Sequence, residues 1–211
     1  MVEFVELTSV DSPEYSQAIE IYEEAFPLAE RQPVRVIRHR ISTGLYKAYV
    51  GRLEETGEVV SLAFLWPFKD SDFILLDYLA VKKLVRGQNV GAAYLASMVE
   101  VLKPQQKYLL IEVDNPRFAP DESEATRRIA FYQRNGAQLM KDLRYLLPPA
   151  QGNEPTEMML MVFPQYKTPQ IEASRVRDLI IQLYREAWER GVDDPYLNEF
   201  IDDVADPIEL V

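Results

Sequence analysis

The chain has 211 residues, of which 47% are hydrophobic, with a formal net charge of -11 at neutral pH and no cysteine. This length and apolar content suit one large domain, or a domain with an appendage, rather than a disordered chain. The acidic balance speaks against general nucleic-acid binding, which depends on Lys and Arg displacing counterions from phosphate; the absence of cysteine excludes disulfides and thiol catalysis.

In chain order, "EFVELTSV" reads as a first strand. After "DSP", where Asp11 or Ser12 suits a helix cap, "EYSQAIEIYEEAF" carries Tyr15, Ile19, Tyr22 and Phe26 at helical spacing up to Pro27. A second short helix is expected over 34–41. "LYKAYVGRLEETGEVVSLAFLWPF" reads as a hairpin turning at Glu55, Thr56 and Gly57. "FILLDYLAV" is a fourth strand, "VGAAYLASMVEVL" a helix and "KYLLIEV" a fifth strand. "ESEATRRIAFYQRNG" is a helix that Asn135 and Gly136 terminate. Strands near "AQLMKDLRYLL" and "EMMLMVF" follow, with "PPAQGNEPTE" as the loop between them. From Pro169 the pattern becomes helical: "IEASRVRDLIIQLYREAWERG" places Val176, Leu179, Ile180, Leu183, Tyr184 and Trp188 on one face, closed by Gly191. "DDPYLNEFIDDVADPIELV" adds a short capped segment with an acidic surface. The division is therefore a main domain, 1–167, and a helical C-terminal extension, 168–211, whose apolar stripe either covers a face of the sheet or pairs two copies as a homodimer.

No apolar run approaches the roughly 20 residues needed to cross a bilayer, and the start "MVEFVELTSVDSPEY" lacks a basic head and apolar middle. A cytoplasmic protein without a membrane partner is expected. His39 is the single histidine, so no metal centre is expected, and acid–base work falls to Asp, Glu, Tyr or Lys.

Between the fourth strand and the helix after it lies "VRGQNVGAAYL", which concentrates Arg86, Gly87, Gln88, Asn89 and Gly91 at one junction. A helix start leaves amides unpaired and carries partial positive charge, glycine admits close approach of an anion, and Arg86 adds a cation. Asn89 is among the few non-glycine residues that tolerate a left-handed backbone. The nucleotide loops with Lys-Ser/Thr or with three spaced glycines do not fit, since Ala92 and Ala93 follow Gly91.

"LAVKKLVRGQNVGAAYL" resembles the acyl-CoA pyrophosphate loop of the GNAT acetyltransferase superfamily, with Arg86, Asn89 and Gly91 in the pattern positions, and "IAFYQRNGA" resembles that family's second signature. Asn89 stands where a glycine is usual, and Ala125 where many members have an asparagine. The resemblance spans about residues 1 to 163 and implies an α+β fold, with a bent, mixed and mostly antiparallel sheet flanked by helices, followed by the helical appendage. It implies acetyl-CoA as co-substrate and transfer of its acetyl group to a primary amine of a small molecule or protein. The alternative is a non-catalytic, acyl-CoA-binding regulatory module. The pyrophosphate would meet Arg86, Gly87, Gln88, Asn89, Val90, Gly91 and Ala92, and the pantetheine the backbone at Leu79, Ala80 and Val81. Tyr132 is the implied acid for the leaving thiolate. For the base, Glu112 in "LLIEVDNP" is preferred to Asp77 in "LLDYLAV", both being acids within apolar strands. The segment "FPLAERQPVRVIRHRI" would border the acceptor through Glu30 and Arg31. Its basic run, including Arg40, reads foremost as a solvated helix face, and His39 as a surface residue.

Overall fold

Ser12 starts the first helix: its hydroxyl accepts the Tyr15 amide at 3.2 Å, with Pro13 in the first turn, and α1 runs Pro13–Ala25. The computed structural model describes residues 1–28, 30–149 and 154–211 and divides into two units. One comprises Met1–Pro67 and Leu76–Pro104, the other Phe68–Leu75 and Gln105–Val211.

In the first unit, β1 (Val2–Glu6), β2 (Lys47–Leu53) and β3 (Val59–Pro67) pair antiparallel in sequence order, followed by β4 (Phe73–Val81), which contributes Leu76–Val81 here. Phe64 lies opposite Ala48, and Ala63 opposite Tyr49, so Phe64 and Tyr49 point to opposite faces. α1 covers the Phe64 face, with Tyr22 5.9 Å from that ring. α3 (Val90–Leu102) covers the other through Tyr94, whose ring stands 5.5 Å from Phe4 and 6.5 Å from Tyr49. Its buried residues Val90, Tyr94, Leu95, Met98 and Leu102 form the stripe that helical periodicity requires. Gly51 stands at a bulge in β2, where a methyl group would meet Ser61 Oγ and lie 2.8 Å from the Phe4 ring. α2 (Val34–Ser42) completes this unit.

In the second unit, the opening residues of β4 are followed by β5 (Tyr108–Asp114), then β8 (Thr156–Phe163), which pairs antiparallel with β5. The segment read as one strand over "AQLMKDLRYLL" is two, β6 (Gln138–Leu139) and β7 (Tyr145–Leu147), both on β8. Asp142, at φ 56°, breaks the extended run between them. α4 (Glu122–Arg134) is capped by Asp121 and ends at Asn135, with Gly136 at φ 96° just beyond. The expected loop "PPAQGNEPTE" lies partly outside the described residues.

α5 (Ala173–Glu186) is shorter than its apolar pattern suggests: the helix stops at Ala187, before Trp188 and Gly191. Asp194 caps α6 (Pro195–Asn198) by accepting the amides of Tyr196 and Leu197 at 2.9 and 3.3 Å. The chain then returns as β10 (Ile208–Glu209) against β9 (Gln170–Ile171). Val176, Leu179, Ile180, Leu183 and Tyr184 of α5 are buried within the single chain. Tyr184 donates to the Leu146 carbonyl, and its ring meets those of Tyr145 and Phe200 at 6.3 Å.

Candidate active site

β4 ends at Val81, a short 3-10 turn spans Lys83–Val85, and Gly87 takes φ 81°. Asn89 is the N-cap of α3 at φ 60°, ψ 13°, the left-handed conformation expected of it, and its side chain makes no capping bond. Ala93 is the first α3 amide to find an acceptor, Asn89 O at 2.9 Å. Among the described residues, no protein group accepts from the amides of Gly87, Asn89, Val90, Gly91 or Ala92. Five N–H groups thus gather at one exposed turn. Arg86 is exposed beside them, its Nε donating to Val81 O at 3.0 Å, which leaves the rest of its guanidinium for an anion. Nothing lies within 4 Å of where a Gly87 Cβ would stand. These donors fit a diphosphate. Because the turn depends on a left-handed residue, Asn89→Gly should keep the melting temperature within about 2 °C. Asn89→Val should lower it by about 2 to 8 °C, from a strain of about 1–2 kcal/mol. Equal melting temperatures for the two variants would contradict this account of the turn.

Asp77 lies five residues before Lys82, in β4, with its side chain 6% exposed. Tyr46 donates its hydroxyl to Asp77 Oδ2, and Arg40 Nη1 stands 3.8 Å from the same oxygen. Burial pushes this carboxyl up to about 6, against the opposing pull of the Tyr46 hydroxyl and the Arg40 charge. Tyr78, the next residue, belongs to the same aromatic cluster: its ring is 4.9 Å from Tyr22 and 6.2 Å from Phe64, and Tyr46 stacks on Phe64 at 5.9 Å. Arg40 is therefore no part of a solvated face, unlike the exposed His39. Arg40 follows Ile37 by three residues, so it falls on α2's buried side. That spacing was the available signal, and its basic neighbours masked it.

The acceptor-side segment is tied down in the first unit. Tyr78 donates to the Glu30 carbonyl at 3.1 Å and accepts from the Gln32 amide at 3.3 Å, and Tyr22 donates to Gln32 O at 3.1 Å. Arg31 reaches back to Glu23, 3.4 Å from Oε1, so its charge is engaged by α1. The Glu30 side chain is exposed.

Glu112 and Tyr132 belong to the second unit. Tyr145 donates to Glu112 Oε1 at 2.5 Å. Burial and then the Glu112 charge push the Tyr145 phenol well above its ordinary value. Tyr132 lies near the end of α4, 8% exposed, with its hydroxyl pushed up to about 12 by burial, against a weaker opposing effect of Arg128. Among the described residues no protein group is hydrogen-bonded to that hydroxyl, so Tyr132 and Glu112 are not joined to each other.

An α+β fold carrying a cradle of unpaired amides between a strand and a helix defines the class. The chain belongs to the acetyltransferase (GNAT) family, whose model matches residues 15–137, more than half its length. That match takes in the cradle, Glu30, Arg31, Asp77, Glu112 and Tyr132. In sequence the chain is 25% identical over 142 residues, 66% of its length and 67% of the relative's, to a Bacillus subtilis (strain 168) protein called "Putative acetyltransferase YjbC". In structure it is similar to a GNAT-family protein from Bacteroides thetaiotaomicron, at TM-score 0.71 and 24% identity, covering 87% of this chain and 96% of that one. That coverage is more than residues 1–167 supply, so the likeness runs into the C-terminal extension. A GNAT-family acetyltransferase from Elizabethkingia anophelis with acetyl-CoA bound matches at TM-score 0.52 and 15% identity, covering 77% and 97%. Among the described residues, no helix is long and apolar enough to cross a membrane, and no group of three or more acidic or His side chains is placed to hold a metal ion.

Proposed function

We propose that this protein transfers an acetyl group from acetyl-CoA to an amine nitrogen. The observation that carries the reading is the cradle formed by the unpaired amides of Gly87, Asn89, Val90, Gly91 and Ala92 with Arg86 beside it, in a chain of the acetyltransferase family. The acetyl-CoA in the Elizabethkingia anophelis neighbour supports the same donor. Arg86, Gly87, Gln88, Asn89, Val90, Gly91 and Ala92 hold the diphosphate, and the backbone of Leu79, Ala80 and Val81 serves the pantetheine amides.

The chemistry sets what the remaining groups do. An amine of ordinary pKa is neutral in only about one molecule in a few thousand at pH 7, so a base must take its proton before the nitrogen attacks the thioester carbon. When the C–S bond then breaks, the sulfur needs a hydrogen-bond donor. Asp77 is the base favoured by its surroundings: a carboxyl titrating near 6 is mostly ionised at pH 7, yet basic enough to hold a proton. Glu112, held by Tyr145, is the alternative. Tyr132, protonated at neutral pH, supplies the donor to sulfur. Glu30 and Arg31 border the acceptor.

A thermal melt and a thiol-release assay test the reading together. Acetyl-CoA at 100 times its dissociation constant should stabilise the fold by about 2.7 kcal/mol, and a panel of primary amines should contain at least one that elicits release of free CoA. A melt unchanged by millimolar acetyl-CoA would remove the donor. A shift without thiol release across the panel would make the protein an acyl-CoA-binding regulatory module.

A further inference from the structure

Arg40 is 6% exposed, although arginine is seldom buried without a specific partner. Its Nη1 donates to the Tyr46 hydroxyl at 2.8 Å. Its guanidinium lies 4.8 Å from the Trp66 ring centre and 5.3 Å from that of Tyr46. The Tyr46 hydroxyl, accepting from Arg40, donates in turn to Asp77 Oδ2. Tyr46 is fixed by its stack on Phe64 and by the edge of Trp66 at 5.6 Å. A buried ion pair of this kind gives little net stability, because desolvation offsets the attraction and apolar residues of similar volume would pack as well. The arrangement is also one-sided: both contacts reach Oδ2, and among the described residues no protein donor is on Oδ1.

We propose that Arg40 and Tyr46 are positioning residues for Asp77, Arg40 keeping the carboxylate ionised in its buried seat and Tyr46 anchoring Oδ2 so that Oδ1 is the oxygen that takes the substrate's proton. This rests on the acetyl-transfer reading above, with Asp77 as base. The titratable groups facing Asp77 in its unit are Arg40 of α2, Tyr46 ahead of β2, Tyr22 of α1 and the adjacent Tyr78. Burial raises the phenols of Tyr22, to about 12, and of Tyr46 and Tyr78, so these three stay neutral through the working range and the nearby charge is that of Arg40. An opposite charge at this distance lowers a carboxyl by about 1–3 pH units, and removing it raises the carboxyl by as much.

The experiment compares the wild type with Arg40→Met, Arg40→Lys and Tyr46→Phe. It measures kcat/KM from pH 5 to 9 with an amine found in the panel, and titrates Asp77 by carbon-13 NMR of labelled carboxyl groups, assigned with Asp77→Asn. Arg40→Met should lower kcat/KM about 2- to 100-fold at pH 7 and recover to within about twofold at pH 9, as its acidic limb and the Asp77 titration move up together. Arg40→Lys should restore most of the wild-type profile. Tyr46→Phe should shift both midpoints upward, since it removes a hydrogen bond to the ionised form. A loss equal at every pH, or an Asp77 midpoint unmoved in Arg40→Met, would overturn the proposal. Should Arg40→Met not fold, Tyr46→Phe decides by the same two readouts. If the wild type turns over no amine, the acetyl-transfer reading falls, while the carboxyl titration still decides whether Arg40 and Tyr46 hold Asp77 ionised.

Discussion

Asp77→Asn is expected to lower kcat/KM at pH 7 by about 10²- to 10⁴-fold, the usual contribution of a positioned proton acceptor, while the acetyl-CoA melt shift persists. The substitution keeps the shape and a hydrogen-bond acceptor for Tyr46 but removes the basicity, so the loss should fall on the step that deprotonates the amine. In the wild type, kcat/KM should drop tenfold per pH unit below about 6, where the carboxyl is protonated. The same titration has a stability consequence of opposite sense. Its pKa in the folded chain is above the unfolded value, so the folded state binds the proton more tightly. The resulting stability is fully present below about pH 4 and is lost as pH rises through about 6. Asparagine does not titrate. Wild-type stability relative to Asp77→Asn should therefore fall by about 1 kcal/mol between pH 5 and pH 7, readable by urea unfolding at the two values. Undiminished turnover in Asp77→Asn would move the base role to Glu112, and a stability difference independent of pH would show that the carboxyl is not destabilised by burial.

What could be read from the sequence follows how local each signal is. α1 and α3 and the whole of β4 stand where the sequence places them, because Ser12 caps one helix, Asn89 opens the other, and "FILLDYLAV" is an uninterrupted apolar run. The left-handed Asn89 could be anticipated because the constraint lies in its own backbone. By contrast, the division of 138–147 into β6 and β7 depends on both segments sharing β8, a long-range pairing that local propensity does not encode. The early end of α5 is similar: Trp188 keeps the helical spacing of the apolar stripe, but the chain turns at Ala187 and Arg190 donates its amide to Tyr184 O at 2.9 Å. For the site, Asp77 was visible as an acid in an apolar strand. Its partners were not, since Arg40 of α2 and Tyr46 ahead of β2 lie more than 30 residues before it and are brought to it only by the fold, as is Trp66 of β3 to Arg40.

Tyr132→Phe should lower turnover by about 10²- to 10³-fold, the loss on removing one preorganised donor to a developing charge, with folding and acetyl-CoA binding nearly unchanged. The chemistry of the hydroxyl limits how it acts. Burial carries it to about 12, so it is protonated at any pH at which the protein is used, which a donor requires. A phenol of that pKa is a weaker acid than an ordinary thiol near 8.5, and transferring its proton completely would cost about 5 kcal/mol. Tyr132 is therefore suited to hydrogen-bond the sulfur while the C–S bond breaks, with the net proton coming from the acylated nitrogen or from water. Arg128, which pulls the phenol down, makes that donation stronger. Two measurements separate this role from simple packing. Volume is nearly conserved, so kcat should fall with KM for acetyl-CoA little changed. The wild-type profile should show no basic limb from this group near pH 10, where an ordinary tyrosine would begin to ionise. Full turnover in Tyr132→Phe would return the hydroxyl to a structural role, and a limb at pH 10 that the substitution abolishes would mean that bound substrate opens the site to water and that Tyr132 does surrender its proton.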